Sequence, residues 1–313
     1  MNANKILCVG TTPAAQRAMV FRKLTLDSVN RAAITVDGVA GKSINVAKVL
    51  KVLGEHPIAT GFLGGDRGEN LRQAIADKGI ESDFVTVSAR TRQCITVIDE
   101  TTGMHTELVE ESVPVTPPDF EKFMTVVRRQ ISNCRAVVMS GTIASGGPAD
   151  FYFNCVDLAK AVGAISVVDA QGTALTEALK AKPDLVKPNR AELAATTGRQ
   201  FSSEADLKDA MRELYGRGTA RVVVTAGKEP VLAFDGKTFW QIVPPQIKAI
   251  NPIGSGDAFT AGMISRLLRG DDLGEACRWG AAAGAANALT PMPGELNYDD
   301  VIRLVDEAKS LRI

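Results

Sequence analysis

Apolar residues along this chain follow two alternating rhythms. Short unbroken apolar runs predict buried strands at Ile6–Val9, Ile58–Phe62, Ala136–Ser140, Ile165–Asp169, Asp184–Lys187 and Arg221–Thr225. Between them, apolar positions recur every three or four residues. Val46, Ala47, Leu50 and Leu53, with Asn45, Lys48 and Lys51 between them, predict a helix over 42–53 that Gly54 ends. The same spacing predicts helices over 69–78, 119–132, 149–162, 174–181, 203–216 and 258–268. Regular strand–helix alternation predicts an α/β fold: an αβα sandwich whose mostly parallel, doubly wound sheet carries helices on both faces. Such sheets bind ligands beyond the carboxyl ends of their strands, so the residues after each strand are the ones to test for chemistry.

Residues 11–39 and 88–110 break this rhythm. Cys94–Asp99, a turn through Thr101-Thr102-Gly103, and Glu107-Leu108-Val109 read as a β-hairpin. These pieces do not fit inside a doubly wound sheet and predict a small β-sheet lid over the strand ends. No repeat, low-complexity tract or linker interrupts the chain, so 1–313 is expected to be one domain.

Composition narrows the partners. Apolar residues make up 45% and charged residues 23% of 313, and Lys plus Arg equals Asp plus Glu at 36 each. A neutral balance gives no electrostatic reason to expect nucleic acid or an anionic membrane. No stretch approaches the ~20 apolar residues of a membrane span. The opening MNANKILCVG lacks a signal-peptide core and cleavage site, so the expected location is the cytoplasm. Cysteines 8, 94, 134, 155 and 277 show no CxxC spacing and read as reduced packing thiols. With only His56 and His105, a histidine metal site or a Ser–His–Asp triad has little material.

The most informative segment is Asn251-Pro252-Ile253-Gly254-Ser255-Gly256-Asp257-Ala258-Phe259-Thr260-Ala261-Gly262. Gly254 and Gly256 permit a tight turn and close approach to a ligand. Unpaired N–H groups at the start of the following helix, with its dipole, favour an anion. Asp257 at the mouth of that turn has a structural use as an N-cap. It also has a chemical one. Phosphoryl transfer to an alcohol needs donors for phosphoryl oxygens and a carboxylate for the hydroxyl proton.

Two further strand ends suit a nucleotide. In Leu185-Val186-Lys187-Pro188-Asn189-Arg190-Ala191-Glu192, Asn189 and Glu192 share one face of a first helical turn. They form either a capping box or a ligand pair in which Glu192 holds Mg²⁺ through water. Lys187 adds a positive charge near the phosphates. Thr225 and Gly227 close a strand where a nucleotide can approach the backbone. On the acceptor side, Gly41, Lys42 and Asn45 open the first long helix and suit a polyol or phosphate. Gly-Lys-Ser there is not a Walker loop, because position 36 is Val where that motif needs Gly. Arg92 is either a solvated charge or a phosphate clamp. Ser140 ends a strand on the same side.

These pieces, in this order, resemble the ribokinase-like pfkB family of carbohydrate kinases from about residue 5 to about residue 305. The likeness is strongest to the tagatose-6-phosphate kinase and 1-phosphofructokinase branch. It is carried by AGKSINVAKVLKVLG at 40–54, TRQCITVID at 91–99, MSGTIASG at 139–146, VDAQGTAL at 168–175, VKPNRAEL at 186–193 and NPIGSGDAFTAG at 251–262. The resemblance implies a doubly wound sandwich with a β-sheet lid that often forms a dimer interface, and transfer of the ATP γ-phosphoryl group to a phosphosugar hydroxyl. Asp257 matches the catalytic base, and Gly254, Ser255 and Gly256 match the anion hole. Asn189 and Glu192 match the Mg²⁺- and phosphate-linked NxxE motif. Lys187, Thr225, Gly227 and Asn287 fall at the nucleotide, and Gly41, Lys42, Asn45, Arg92 and Ser140 at the phosphosugar. A monovalent cation beside the anion hole is a further candidate cofactor.

Two segments depart from the family pattern. Gln16 stands in Thr12-Pro13-Ala14-Ala15-Gln16 where the family has a sugar-binding Asp, and Ala40-Gly41-Lys42-Ser43 replaces GGKG. Gln16 still offers hydrogen bonds, without charge. Both changes lie on the expected acceptor side, so the expectation is retained chemistry with an altered sugar. Three alternatives remain. A nucleoside kinase of the same fold is opposed by Lys42 and Arg92. A silent sugar-phosphate sensor is suggested by Gln16 and opposed by Asp257. A dehydrogenase lacks GxGxxG after its first strand.

Overall fold

A computed structural model describes residues 4–313; the N-terminal reading over residues 1–3 lies outside it. From the amino end, β1 (Lys5–Val9), β2 (Ala14–Phe21) and β3 (Ile34–Ala40) lead into α1 (Lys42–Val52). Next come β4 (His56–Leu63), α2 (Gly65–Asp77), β5 (Glu81–Thr86), β6 (Arg92–Asp99) and β7 (His105–Val109). The middle of the chain runs α3 (Pro117–Ile131), β8 (Cys134–Ser140), α4 (Phe151–Ala161), β9 (Ile165–Asp169), α5 (Gly172–Lys180), β10 (Leu185–Val186), α6 (Arg190–Thr197) and α7 (Glu204–Gly216). The last part adds β11 (Val222–Ala226), β12 (Glu229–Phe234), β13 (Phe239–Val243), α8 (Ser255–Leu267), α9 (Leu273–Ala288), α10 (Tyr298–Glu307) and β14 (Lys309–Arg312).

Ten strands form one sheet in the order β14-β13-β12-β11-β10-β9-β8-β1-β4-β5. From β5 to β11 every pairing is parallel; β11 to β14 pair antiparallel. Alternate residues of the parallel strands enter opposite cores. Leu7, Val9, Val137, Met139, Val168 and Val186 join the side chains of α3, α4, α5 and α7. Ile6, Cys8, Ala136, Val138, Val167 and Leu185 join those of α1, α2, α8, α9 and α10. A continuous apolar strand is stable only when both faces are covered, so the sandwich follows from the runs.

The second sheet, ordered β3-β2-β6-β7, takes its strands from within the two irregular regions. β2 pairs antiparallel with β3 and parallel with β6, and β6 and β7 form the expected hairpin.

Several predicted boundaries move. The helix expected over 69–78 begins at Gly65, because Gly-Asp-Arg-Gly hides its first turn from any apolar period. Between Pro183 and Pro188, the strand expected at Asp184–Lys187 keeps only Leu185 and Val186. Two of the three polar residues between the apolar positions of α1 do not face solvent: Asn45 is 5% and Lys48 3% exposed, whereas Lys51 is exposed. The Lys48 Nζ donates to the carbonyls of Val39 at 2.7 Å and Pro293 at 2.6 Å, tying α1 to the lid's root and to the 291–295 loop. No helix of the described residues is long and apolar enough to cross a membrane.

Helices α8 and α9 pack closely through glycine. A Cβ built at Gly262 would lie 2.8 Å from the carbonyl oxygen of Trp279, which backbone geometry prevents from moving aside. We expect Gly262→Val to destabilise the fold by about 1–3 kcal/mol through overpacking. A lowered thermal midpoint checks this; an unchanged midpoint contradicts it.

Candidate active site

A cavity of about 320 Å³ lies between the carboxyl edge of the large sheet and the inner face of the lid. Its walls are brought together from the whole chain. The lid contributes Gln16 and Arg92, and the start of α1 contributes Gly41, Lys42 and Asn45. Asp169, Lys187, Asn189, Glu192 and Thr225 arrive from the ends of β9, β10 and β11, and Gly254, Gly256 and Asp257 from the start of α8.

The α8 terminus begins earlier than its apolar period predicts. Gly254 is the N-cap, with a left-handed φ of 84°, and Ser255 is the first helical residue. A Cβ at Gly254 would sit 2.7 Å from the Pro293 side chain, so both conformation and space demand glycine. Asp257 is therefore the third helical residue and not the cap. Its carboxylate makes no capping bond and accepts instead from Asn45 Nδ2 at 2.8 Å. The N–H of Ser255 is used internally, on the carbonyl of Pro252 at 3.1 Å. Gly256 and Asp257 keep N–H groups without a backbone acceptor among the described residues, at the positive end of the helix.

Charge around Asp257 is balanced by alternation. Lys187 and Asp169, 3% and 2% exposed, pair at 3.1 Å, and Thr260 donates to the same carboxylate at 3.0 Å. Burial pushes the Asp169 carboxyl up, but Lys187, Lys42 and the two hydrogen bonds bring it below the usual range. Lys42 reaches Glu192 at 3.3 Å, and its amine is held above the usual range, first by Asp169. For Asp257 the balance tips the other way. Burial raises its pKa to about 6; Lys42 opposes this, Asp169 adds to it, and the Asn45 hydrogen bond and Lys187 oppose it.

Asn189 and Glu192 form the full capping box, with both reciprocal bonds at 2.8 Å. The box uses Glu192 Oε2 and leaves Oε1 facing Lys42 and the cavity. An isolated parallel bridge sets Thr225 beside Asn189. Among the described residues there is no group of three or more acidic, His or Cys side chains able to cage a metal. A single carboxylate oxygen fits an ion that keeps its waters and takes other ligands from phosphates, as Mg²⁺ does.

Four expected residues lie off the cavity wall. Asn287 is fully buried behind the turn: its Nδ2 donates to Ile253 O at 2.9 Å and Ser255 Oγ at 3.3 Å, and its Oδ1 accepts from Gly294 N at 2.6 Å. It braces the turn, with both its polar atoms engaged there. Ser255, with its N–H used, offers a hydroxyl that takes part in the same bracing. Gly227 is exposed in the hairpin after β11, beyond the wall. Ser140 is buried at the end of β8, with an Oγ that has no partner. Of the two changed positions near Gly41, Ala40 lines the cavity, but Ser43 packs under Gly10 and intrudes on nothing a ligand would use. Gln16 faces the cavity with its Nε2 on Thr96 Oγ1 at 2.9 Å. Arg92 donates to Thr12 O at 3.2 Å and keeps a buried, unpartnered Nε. Asp169 lies inside VDAQGTAL, yet the motif gives it no role. It ends a strand like many polar residues, and only the fold sets it against Lys187.

An electropositive helix end, a buried carboxylate and two lysines at a sheet's carboxyl edge, under a lid, define a phosphotransferase of the sugar-kinase type. The chain belongs to the pfkB family of carbohydrate kinases, whose pattern it matches over residues 3–297. Phosphofructokinase-2 from Escherichia coli, solved in complex with fructose-6-phosphate, is 28% identical over 98% of this chain and 99% of that one, with a TM-score of 0.87. The same enzyme in complex with potassium is 27% identical over 98% and 99%, with a TM-score of 0.87. A possible 1-phosphofructokinase from Thermotoga maritima shares the fold, with a TM-score of 0.90, 24% identity and 99% of each chain covered.

The raised pKa of Asp257 carries a stability signature. The folded state holds this proton more tightly than the unfolded chain, so stability falls as pH rises from about 4 to about 6. Asp257→Asn should therefore stabilise the unliganded protein by about 1–3 kcal/mol at pH 7 and by little at pH 4. Thermal midpoints of both proteins at the two pH values check this. A variant less stable than the parent at pH 7 would refute it.

Proposed function

We propose that this protein transfers the γ-phosphoryl group of ATP to a hydroxyl of a phosphosugar of the tagatose 6-phosphate or fructose 1-phosphate type. The observation that carries this is Asp257: a buried carboxylate, held by Asn45, at a helix terminus whose N–H groups without a backbone acceptor belong to residues lining the same cavity. The carboxylate takes the proton of the attacking hydroxyl. The N–H groups of Gly256 and Asp257, at the turn opened by Gly254, hold the phosphoryl oxygens as charge moves onto them. Lys42 and Lys187 add positive charge on either side of that turn. Thr225 and Asn189 form the nucleotide wall, and Glu192 Oε1 is the oxygen that would hold Mg²⁺. When bound, Mg²⁺ supplies positive charge to the polyphosphate. Potassium in the E. coli enzyme supports a monovalent cation as a further cofactor.

Acceptor specificity rests on the lid and α1. Arg92, with its unpartnered Nε, is the donor for the sugar's phosphate, and Gln16 with Asn45 Oδ1 offers neutral hydrogen bonds. Leu26, Ile34, Met104 and Leu108 are exposed apolar residues in or beside the lid strands, which supports a homodimer formed through the lid. The tetrameric form of E. coli phosphofructokinase-2 supports self-association in this family. The whole chain then works as one kinase unit, in the cytoplasm where ATP and sugar phosphates meet.

The test is a panel of tagatose 6-phosphate, fructose 1-phosphate, fructose 6-phosphate and adenosine with MgATP. We expect one or more phosphosugars to be phosphorylated and adenosine not. Asp257→Asn should lower kcat by about 10²–10⁴-fold with the acceptor KM little changed. Turnover of adenosine alone, or an Asp257→Asn variant as active as the parent, overturns the assignment.

The pH profile is a separate check. kcat/KM should fall about tenfold per unit below about pH 6, where Asp257 takes up its proton. Lys42→Met removes the strongest downward influence on that pKa, so the acid limb should move to higher pH. A limb that stays in place would show that another group controls it.

A further inference from the structure

The register of the lid sets one more acid over the acceptor end of the cavity. Gln16 is the strand partner of Cys94, Cys94 of Val109, and Thr96 of Glu107. Cross-strand partners share a face, so these five side chains look the same way. That way is inward: Gln16, Cys94, Glu107 and Val109 line the cavity with Asn45 and Asp257.

Glu107 differs from the other acids there. Asp169 holds Lys187, Glu192 caps α6 and meets Lys42, and Asp257 accepts from Asn45. Glu107 makes no ion pair or side-chain hydrogen bond among the described residues. Partial enclosure in the cavity pushes its carboxyl above the usual range although the residue as a whole stays exposed, and the charge of Arg92 offsets this only in part. The Arg92 backbone lies four residues from Thr96 on β6, about 13 Å along the strand from the level of Glu107, and its long side chain brings the guanidinium closer. The lid thus presents a free donor, the buried Arg92 Nε, at one level and a free acceptor at another. Gln16 lies between them, with its amide nitrogen committed to Thr96.

We propose that Glu107 is a specificity-determining residue of this kinase, whose carboxylate accepts hydrogen bonds from free hydroxyls at the end of the sugar remote from its phosphate. The proposal deepens the sugar-kinase reading and rests on it. The acceptor class it selects is a monophosphate with unsubstituted hydroxyls at the far end. A sugar that fills the cavity and lacks that hydroxyl would leave the Glu107 carboxylate facing it without a partner, and this makes the contact discriminating.

The test compares the parent with Glu107→Ala and Glu107→Gln. Glu107 is on an exposed strand, so both variants are expected to keep the parent's thermal midpoint. Acceptor KM, ATP KM and kcat are measured on the best phosphosugar and its monodeoxy analogues, and Kd of the phosphosugar is measured calorimetrically without nucleotide. We expect Glu107→Ala to raise acceptor KM and Kd about tenfold or more, leave ATP KM unchanged, and give Glu107→Gln an intermediate value. One deoxy analogue should be penalised in the parent and not in Glu107→Ala. Turnover with acceptor KM and Kd within about twofold in both variants overturns the proposal alone, as do equal deoxy penalties in parent and variant. If the parent neither binds nor phosphorylates any phosphosugar of the panel, the kinase reading falls and this proposal with it.

Discussion

A carboxylate held in a nearly dry place at the positive end of a helix is the constraint on which this structure turns. Burial pushes the Asp257 carboxyl toward its protonated form, which could take no proton from a hydroxyl. Lys42, Asn45 and Lys187 draw its pKa back to about 6, against the combined effect of burial and Asp169. Asp169 nevertheless has a use, because it holds the buried Lys187 ammonium in place at 3.1 Å. The charges therefore form one coupled set, and changing any member retunes the others.

Much of the fold serves to hold that set still. Gly254 turns the chain into α8, and Asn287 on α9 ties Ile253, Ser255 and Gly294 together from behind. α1 supplies Lys42 and Asn45 to the cavity, and three residues after Asn45 its Lys48 fastens the lid root to the 291–295 loop. That amine is buried, and burial pushes its pKa down to about 8. Two apolar cores, one on each face of the sheet, fix these helices so that their termini meet at one edge.

Legibility followed locality. The turn at 251–257 and the pair Asn189–Glu192 carry their chemistry within a few residues, and the structure brings both to the cavity. The capping box and the ligand pair are compatible there, because each uses a different oxygen of Glu192. Asp169 and Glu107 had no local signal. Asp169 looks like any polar strand end, and Glu107 sits in a strand whose five residues are all exposed. α9 escaped the period because its Ala- and Gly-rich sequence is buried on nearly every side, which erases the amphipathic stripe. The strands of β12 to β14 likewise fell outside the strand–helix rhythm.

By itself, the sequence determined the class of fold, the lid's two source segments and the glycine-rich turn at the start of α8, because periodicity and short motifs are properties of neighbouring residues. Only the tertiary structure decided that Asp257 is not a cap, that Asn287 braces the turn, and that Asp169 and Glu107 share the cavity. Those outcomes depend on contacts between residues as many as 212 positions apart, as Asn45 and Asp257 are. Burial and charge coupling at such separations arise only once the layers have packed.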